Sequence, residues 1–95
     1  MATYVILSKL APDAMKDPGE FKTLAETVSG KIKAECPGVK WKDSYALMGR
    51  FDVVDIVEAD GPADIEKAAM LIRCYGHARI ETMHATPWSA FLTGM

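Results

Sequence analysis

Four β-rich segments, interrupted by two segments with helical spacing, are the sequence feature that most constrains this fold. The β-rich segments are residues 3–10, 39–48, 51–59 and 78–86, and the helical ones run from Asp17 to the Cys-Pro-Gly at 36–38 and from 60 to 76. The order βαββαβ predicts an α+β, ferredoxin-like fold whose antiparallel sheet has the strand order 4-1-3-2. At 95 residues, the chain has room for one domain, 1–95, with residues 86–95 as a C-terminal tail.

The helical segments carry their own start and stop signals. Asp17 suits the N-cap of the first helix and Pro18 its first position, whereas Gly76 is expected to stop the second. The apolar stripe of the first helix comprises Phe21, Leu24, Val28 and Ile32. The tail holds three apolar side chains, Trp88, Phe91 and Leu92, and is expected to add at most one more turn.

Both helices are expected on one face of the sheet, which leaves the other face uncovered. Apolar residues of the strands supply both faces: Val5, Leu7, Val53, Val54, Ile56, Val57, Ile80 and Met83. An apolar sheet face needs a cover, and a second copy of the same sheet is the simplest one. The sequence therefore predicts a homodimer or higher oligomer.

The connection between the second and third strands is expected to fix the strand register. Gly49 stands at the first central position of Met48-Gly49-Arg50-Phe51, which is typical of a two-residue type II′ turn. In that register Ser44 faces Asp55, Lys42 faces Val57 and Trp41 faces Glu58, whereas a one-residue slip would exchange the faces. Asp52, next to the turn, is expected to accept backbone hydrogen bonds that hold the hairpin.

Asp55 is the strongest functional lead, because it lies inside an otherwise apolar strand, "FDVVDIVEA". One interpretation is structural: Lys42 pairs with the carboxylate and Ser44 donates a hydrogen bond to it. The other is functional: the carboxylate lines a largely apolar cavity and acts there as an acid or base. A buried charge without a partner is costly, so either interpretation requires a specific neighbour.

Three stretches resemble the GYD-domain proteins: "TYVILSKL", "YALMGRFDVVDIVEAD" and "ARIETMHAT". The Gly-Tyr-Asp-like signature of the family stands here as Gly49-Arg50-Phe51-Asp52, with an inserted Arg and with Phe in place of the tyrosine. The resemblance covers residues 2–87 and implies a dimeric α+β barrel, in which two ferredoxin-like sheets pack face to face. It implies no particular activity, because fold alone does not define function.

Composition and charge exclude several classes of function. The net charge is −2 and the lysines are dispersed among acids, which argues against a nucleic-acid-binding face. No apolar run approaches the ~20 residues of a membrane helix. The start of the chain is unlike a signal peptide, so we expect a cytoplasmic protein with thiols at its two cysteines.

No metal or cofactor site is predicted within one chain. His77 and His84 are expected on opposite faces of the fourth strand, and Cys36 and Cys74 at opposite ends of the domain. A metal shared between two chains stays open. His84 is read either as a hydrogen-bonded structural residue or as a proton carrier beside a pocket.

Two functions remain from the sequence. The first is a homo-oligomeric barrel that binds a small, partly apolar molecule, with possible cofactor-independent proton transfer or oxygenation. In it Asp55 and His84 are the catalytic candidates and the substrate-binding ones are Tyr45, Trp41 and Ser44. The second is a non-catalytic ligand-sensing or assembly module. A closed cavity beside Asp55, large enough for a ligand of ~300 Å³, would favour the first, and a filled interior with Asp55 bridged to Lys42 would favour the second.

Overall fold

The computed structural model describes residues 1–15 and 17–95, and it contains four strands and three α-helices within them. The elements are β1 (Ala2–Leu10), a short 3-10 helix (Pro12–Met15), α1 (Pro18–Glu35), β2 (Lys40–Ala46), β3 (Val53–Ala59), α2 (Pro62–Gly76), β4 (Ala78–Ala85) and α3 (Trp88–Thr93). The predicted order is confirmed, and the tail forms the short α3. No helix in the described ranges is long and apolar enough to cross a membrane.

The strands form one antiparallel sheet in the order β2-β3-β1-β4. This is the predicted order 4-1-3-2, written from the other edge, so the ferredoxin-like α+β fold is confirmed. The first and third strands occupy the centre, and β2 and β4 form the edges.

The helix ends follow the sequence signals with one exception. Asp17 caps α1 by accepting a hydrogen bond from the Gly19 N–H at 2.9 Å, and Pro18 occupies the first turn. The second helix ends at Gly76 as predicted, but the left-handed conformation at its end is adopted by His77, with φ 51°, and not by the glycine. The expectation that His77 belongs to the fourth strand is therefore wrong, since β4 begins at Ala78.

The β2–β3 hairpin keeps the predicted register but not the predicted turn. Ser44 pairs with Asp55 as expected. The last hydrogen bond before the loop joins the Leu47 N–H to the Asp52 carbonyl at 2.8 Å, so residues 48–51 form a four-residue loop. Gly49 has φ +156°, far from the value of about +60° at the first central position of a type II′ turn.

A β-bulge shifts the register in the first half of β2. Trp41 pairs with Val57 and Lys40 pairs with Glu58, because the bulge between Trp41 and Asp43 inserts one extra residue. The predicted pairs of Lys42 with Val57 and of Trp41 with Glu58 are wrong for this reason. The bulge brings Trp41 to the sheet face that carries Asp55.

The core lies between α2 and one face of the sheet. The buried apolar strand residues all belong to that face: Tyr4, Ile6, Val57, Ala59 and Ile80. The buried residues of α2 are Ile65, Ala68, Ala69, Leu71, Ile72 and Gly76. By contrast, along the whole of α1, which lies within the described residues, Ile32 alone is buried.

The opposite face, called here the outer sheet face, is not packed to the same degree. It carries six apolar or aromatic side chains: Val5, Leu7, Tyr45, Val54, Ile56 and Met83. The four aliphatic residues of the central strands are half-buried, and Tyr45 and Met83 are exposed. The outer sheet face is thus apolar at its centre.

Candidate functional site

A cleft of about 760 Å³ separates α1 from the β2–β3 half of the sheet. Its wall on the helix side is formed mainly by Phe21, Leu24 and Val28, and its floor by strand residues that include Val53 and Asp55. The volume falls within the ~300–1,000 Å³ range of small-molecule sites. The lining is predominantly apolar, with a carboxylate at the floor.

The cleft exists because α1 is held by α2 rather than pressed onto the sheet. Val28 approaches the buried Gly76, where an added Cβ would lie 3.4 Å from Val28 Cγ2. Phe21, Leu24 and Val28 are each only half-buried, although they form the apolar stripe of the helix. The space above Asp55 is left open, whereas a helix that packed directly against the sheet would fill it.

Asp55 lies at the centre of a small hydrogen-bonded cluster on the cleft floor. Its Oδ1 accepts hydrogen bonds from Ser44 Oγ at 2.5 Å and from Trp41 Nε1 at 3.1 Å. Trp41 Nε1 also lies 3.0 Å from Ser44 Oγ, so the indole N–H is shared between the two acceptors. The cluster depends on the bulge in β2, because the bulge places Trp41 on this face.

The second oxygen of Asp55 has a different environment. Within residues 1–15 and 17–95, no group donates a hydrogen bond to Oδ2, although Asp55 is only 8% exposed. No buried side-chain oxygen or nitrogen of those residues is without a partner, so Oδ2 is an atom that solvent reaches. One carboxylate oxygen is therefore fixed and the other is available at the cleft.

The predicted ion pair between Lys42 and Asp55 is wrong. Lys42 Nζ lies 3.9 Å from Glu58 Oε1 instead, because the bulge turns Lys42 away from the cleft floor. Both side chains of that pair are partly exposed, so the pair adds little stability. Asp55 is held by neutral donors and not by a cation.

The other predicted site residues lie elsewhere. His84 is exposed on the edge strand β4, with its ring centroid 5.3 Å from that of Tyr4, and it is not among the residues that line the cleft. Tyr45 is 57% exposed and belongs to the outer sheet face, although it borders a smaller cavity of about 360 Å³ at the hairpin end. The structure thus brings together Trp41, Ser44 and Asp55, but not His84 or Tyr45.

Asp52 ties the start of β3 to β1. Its Oδ2 accepts a hydrogen bond from the Leu10 N–H at 2.8 Å, and its own N–H donates to the Ser8 carbonyl at 2.8 Å. Lys9 Nζ lies 4.0 Å from the same carboxylate. Asp52 does accept a backbone hydrogen bond, but from a neighbouring strand and not from within the loop that holds Gly49.

Sequence reasoning missed Ser8, which is 4% exposed and lines the cleft beside Asp55. The sequence did contain a signal for Ser8. Tyr4, Ile6 and Ser8 are alternate residues of β1 and therefore share one face of the sheet, on which Ser8 is the polar residue. The stripe of α1, which the sequence identifies only by its helical spacing, forms the wall of the cleft.

The cysteines and histidines form no further site in the described part of the chain. No three His, Cys, Asp or Glu side chains there are grouped as metal ligands. Both cysteines are thiols, Cys74 exposed and Cys36 buried at the end of α1. Burial raises the pKa of the Cys36 thiol, and the nearby Lys67 only partly opposes this effect.

The fold and the cleft define a small ferredoxin-like α+β protein with an apolar recess that bears the Asp55 carboxylate. Residues 4–93 match the profile of the GYD domain, so the chain belongs to the GYD domain family. This confirms the family that the three sequence stretches resemble.

Three relatives extend this result. A Thermus thermophilus protein described as "Glutamine synthetase and cystathionine beta-lyase binding protein" is 28% identical over 91 residues, covering 92% of this chain and 90% of its own. The crystal structure of FFRP-DM1 is similar with a TM-score of 0.57 and 26% identity, over 90% of this chain and all of that one. Hypothetical protein PHS023 from Pyrococcus horikoshii has a TM-score of 0.56 and 26% identity, over 92% of both chains.

Proposed function

We propose that this protein is a homo-oligomeric, cytoplasmic binding protein whose cleft holds a small, partly apolar molecule. The observation that carries the proposal is the Asp55 carboxylate, open at one oxygen, on the floor of an apolar cleft of about 760 Å³. A few fixed polar groups within apolar walls are typical of ligand sites, because the walls supply affinity and the polar groups orientation.

The same cluster argues against a purely structural role for Asp55. A carboxylate that only fixed strand register would use both oxygens in contacts with neighbouring residues, since buried polar groups are generally hydrogen-bonded within the protein. Here the neighbours Trp41 and Ser44 serve one oxygen and orient the other toward open space. Such preorganisation lowers the cost of binding a ligand.

Ligand binding is tested through Trp41, whose indole forms part of the cleft floor. The exposed Trp88 is first replaced in Trp88→Phe, so that the remaining tryptophan fluorescence reports on the cleft. Native mass spectrometry of the purified protein then detects a co-purified ligand, and denaturing extraction followed by re-addition should restore the mass and change the Trp41 emission. A protein that carries no ligand and whose Trp41 emission is unchanged by a broad panel of small amphipathic molecules would contradict the proposal.

Self-association is proposed through the outer sheet face. Its apolar centre, formed on β1 and β3 by Val5, Leu7, Val54 and Ile56, is left half-buried by the single chain. A second copy of the same face would cover it by two-fold symmetry, as apolar surfaces of this kind commonly are.

Sedimentation velocity tests the oligomer with a matched pair of lysine substitutions. Val54→Lys introduces a charge at the centre of the outer sheet face, and Thr82→Lys introduces it at an exposed position on the opposite face of β4. We expect Val54→Lys to shift the protein to monomer and Thr82→Lys to sediment like the wild type. A wild-type protein that is monomeric at micromolar concentration would overturn this part of the proposal.

Catalysis would be a further property of the same cleft. Asp55 is the one carboxylate among the described residues that line it, and therefore the acid or base in any proton transfer or oxygenation there. Asp55→Asn would then abolish turnover, whereas His84→Ala would leave both binding and turnover unchanged because His84 lies outside the cleft.

A second candidate function is an interaction module for metabolic enzymes. It is favoured by the T. thermophilus relative, which is described as binding glutamine synthetase and cystathionine β-lyase. The exposed apolar side chains of α3, Trp88, Phe91 and Leu92, offer a contact surface on this chain. Mixing the protein with purified glutamine synthetase and cystathionine β-lyase from its own source, followed by size-exclusion chromatography, tests this function.

The matched variants for that experiment are Phe91→Ala, on α3, and Thr27→Ala, on the exposed side of α1. Co-elution that is lost in Phe91→Ala and kept in Thr27→Ala would support the module. Separate elution of both enzymes from the wild-type protein would contradict it.

A further inference from the structure

We infer that the ligand of the cleft carries a cationic amine, which binds Asp55 Oδ2, on an apolar body that lies along α1. This inference rests on the proposed function and specifies the chemical class of the ligand. It follows from the two different oxygens of Asp55, from the lack of a lysine or arginine of the described residues within ion-pair distance of that carboxylate, and from the position of the apolar wall.

The two oxygens of Asp55 are not equivalent. Oδ1 is saturated by donors from Trp41 and Ser44, whereas Oδ2 receives no hydrogen bond from the described residues. An ionised carboxylate accepts hydrogen bonds but donates none, so its partner must be a donor. An ammonium group is the donor that also balances the charge, and charge-assisted hydrogen bonds are about twice as strong as neutral ones.

The protein does not supply this cation itself. Lys42, the cation expected beside Asp55, pairs with Glu58 at 3.9 Å. Lys33 and Lys40 contribute to the lining of the cleft, but neither lies within ion-pair distance of a carboxylate of the described residues. Both are exposed, so solvent and salt screen their effect, whereas Asp55 is 8% exposed and screened much less. The attraction between a ligand ammonium and Asp55 at the cleft floor therefore exceeds the repulsion between that ammonium and the two lysines at the cleft mouth.

The walls define the remainder of the ligand. Phe21, Leu24 and Val28 present half-buried apolar surface toward the cleft, and Val53 and Ile72 add more from the sheet and from α2. Burying this surface is favourable by roughly 25 cal/mol per Å². The ligand class is thus a small alkyl- or arylalkylamine, with its nitrogen at the floor and its carbon chain along α1.

A series of three matched compounds tests the inference on the intact wild-type protein. Hexylamine, hexanol and hexanoate share an apolar chain and differ in the end group. Their dissociation constants are measured at pH 7 by titration calorimetry on the wild type and by Trp41 emission in Trp88→Phe. We expect hexylamine to bind about tenfold or more tighter than hexanol, and hexanoate to bind weakest, because only the amine satisfies and neutralises the carboxylate.

Two variants assign that preference to Asp55. In Asp55→Asn the tenfold preference for hexylamine should fall to about twofold or less, while the affinity for hexanol is retained. Asp43→Asn removes the same charge from an exposed position of the neighbouring strand and should keep the preference. If Asp55→Asn does not fold, Ser44→Ala provides the second test, because it removes one of the two donors to Oδ1, keeps the carboxylate and should preserve the preference for the amine.

The outcomes separate the inference from the proposed function. Equal binding of the three compounds, or tightest binding of hexanoate, would overturn the amine assignment and leave the cleft as a binding site. A preference for hexylamine that persists in Asp55→Asn would also overturn it. Failure of all three compounds to bind at millimolar concentration would refute the cleft as a site for small amphipathic molecules, and the amine assignment with it.

Discussion

The two helices that flank the sheet bury their apolar stripes to very different extents. The α2 helix presses Ile65, Ala68 and Ile72 into the core, with Ile65 only 2% exposed. The α1 helix is longer, but its stripe stops half-buried, and only Ile32 reaches the core. The half of the molecule that contains α2 is closed by packing and is called here the packed half. The half that contains α1, β2 and β3 encloses the cleft and is called the open half.

This difference shows how unevenly packing is distributed in a chain of 95 residues. The packed half supplies the interior that keeps the sheet folded, and it also holds α1 in place through contacts between the helices, such as that of Val28 with Gly76. The open half can then leave apolar surface and one carboxylate oxygen unfilled. An apolar stripe on a helix indicates which side chains the helix can bury, but it does not indicate what fraction of each side chain is buried.

The largest expected effect compares truncations on the two helices. Ile65→Ala removes a side chain that is 2% exposed and should lower the free energy of unfolding by roughly 2–5 kcal/mol. Leu24→Ala removes the same volume from the cleft wall, where no closed cavity is created, and should cost less than about 1 kcal/mol. Urea denaturation followed by circular dichroism measures both.

The two variants control for each other, because each deletes three carbon atoms from a helix. Equal decreases in the free energy of unfolding would mean that α1 packs against the sheet as tightly as α2 does in solution. The distinction between a packed half and an open half would then fail.

The next effect concerns the polar contacts of Asp52, which join the start of β3 to β1 at the end of the open half. Asp52→Ala removes the acceptor of the Leu10 N–H and should lower the free energy of unfolding by roughly 1–3 kcal/mol. Asp43→Ala deletes an exposed carboxylate from the same hairpin and should change it by less than about 0.5 kcal/mol. If both variants unfold at the same urea concentration, the Asp52 contact does not stabilise the fold.

A smaller and opposite effect is expected inside α1. Gly30 lies within the helix, and an added Cβ would meet no heavy atom within 4 Å. Gly30→Ala should therefore raise the free energy of unfolding by about 0.5–1 kcal/mol, since alanine is the better helix former. Ala25→Gly, at an exposed position in the same helix, should lower it by a similar amount. A Gly30→Ala variant less stable than the wild type would indicate that α1 closes further onto its surroundings than the structure shows.

The sequence was sufficient for the architecture, because each element carries a local signal. Asp17 and Pro18 define the start of α1, and the short connection around Gly49 predicts the observed pairing of Ser44 with Asp55, although the turn type is different. These signals depend on neighbours in the chain and on the period of the pattern. The strand order then follows from general rules of chain connection.

The details of the site could not be obtained in the same way. The bulge in β2 depends on whether Trp41 or Lys42 pairs with Val57, and no glycine or proline marks that choice in "VKWKDSY". The bulge alone moved Trp41 to Asp55 and Lys42 to Glu58. The cleft likewise depends on how closely α1 approaches the sheet, a distance that the spacing of Phe21 and Leu24 does not encode.

The smallest effect is a pH dependence that comes from the packed end of α1. Cys36 is 3% exposed, and its burial raises the thiol pKa above its value in the unfolded chain. The folded state therefore holds this proton more tightly. The contribution to stability is fully present below the unfolded pKa of about 9 and is lost as the pH rises toward the folded value.

Urea denaturation between pH 7 and pH 10 measures this contribution with both cysteine variants. Lysines and tyrosines also titrate in this range, so only the difference between variants is informative. Cys36→Ala should show a smaller loss of stability with rising pH than the wild type, whereas Cys74→Ala, at an exposed thiol, should follow the wild type. Parallel pH profiles for all three proteins would mean that Cys36 reaches solvent in the folded state, and the end of α1 would then belong to the open half.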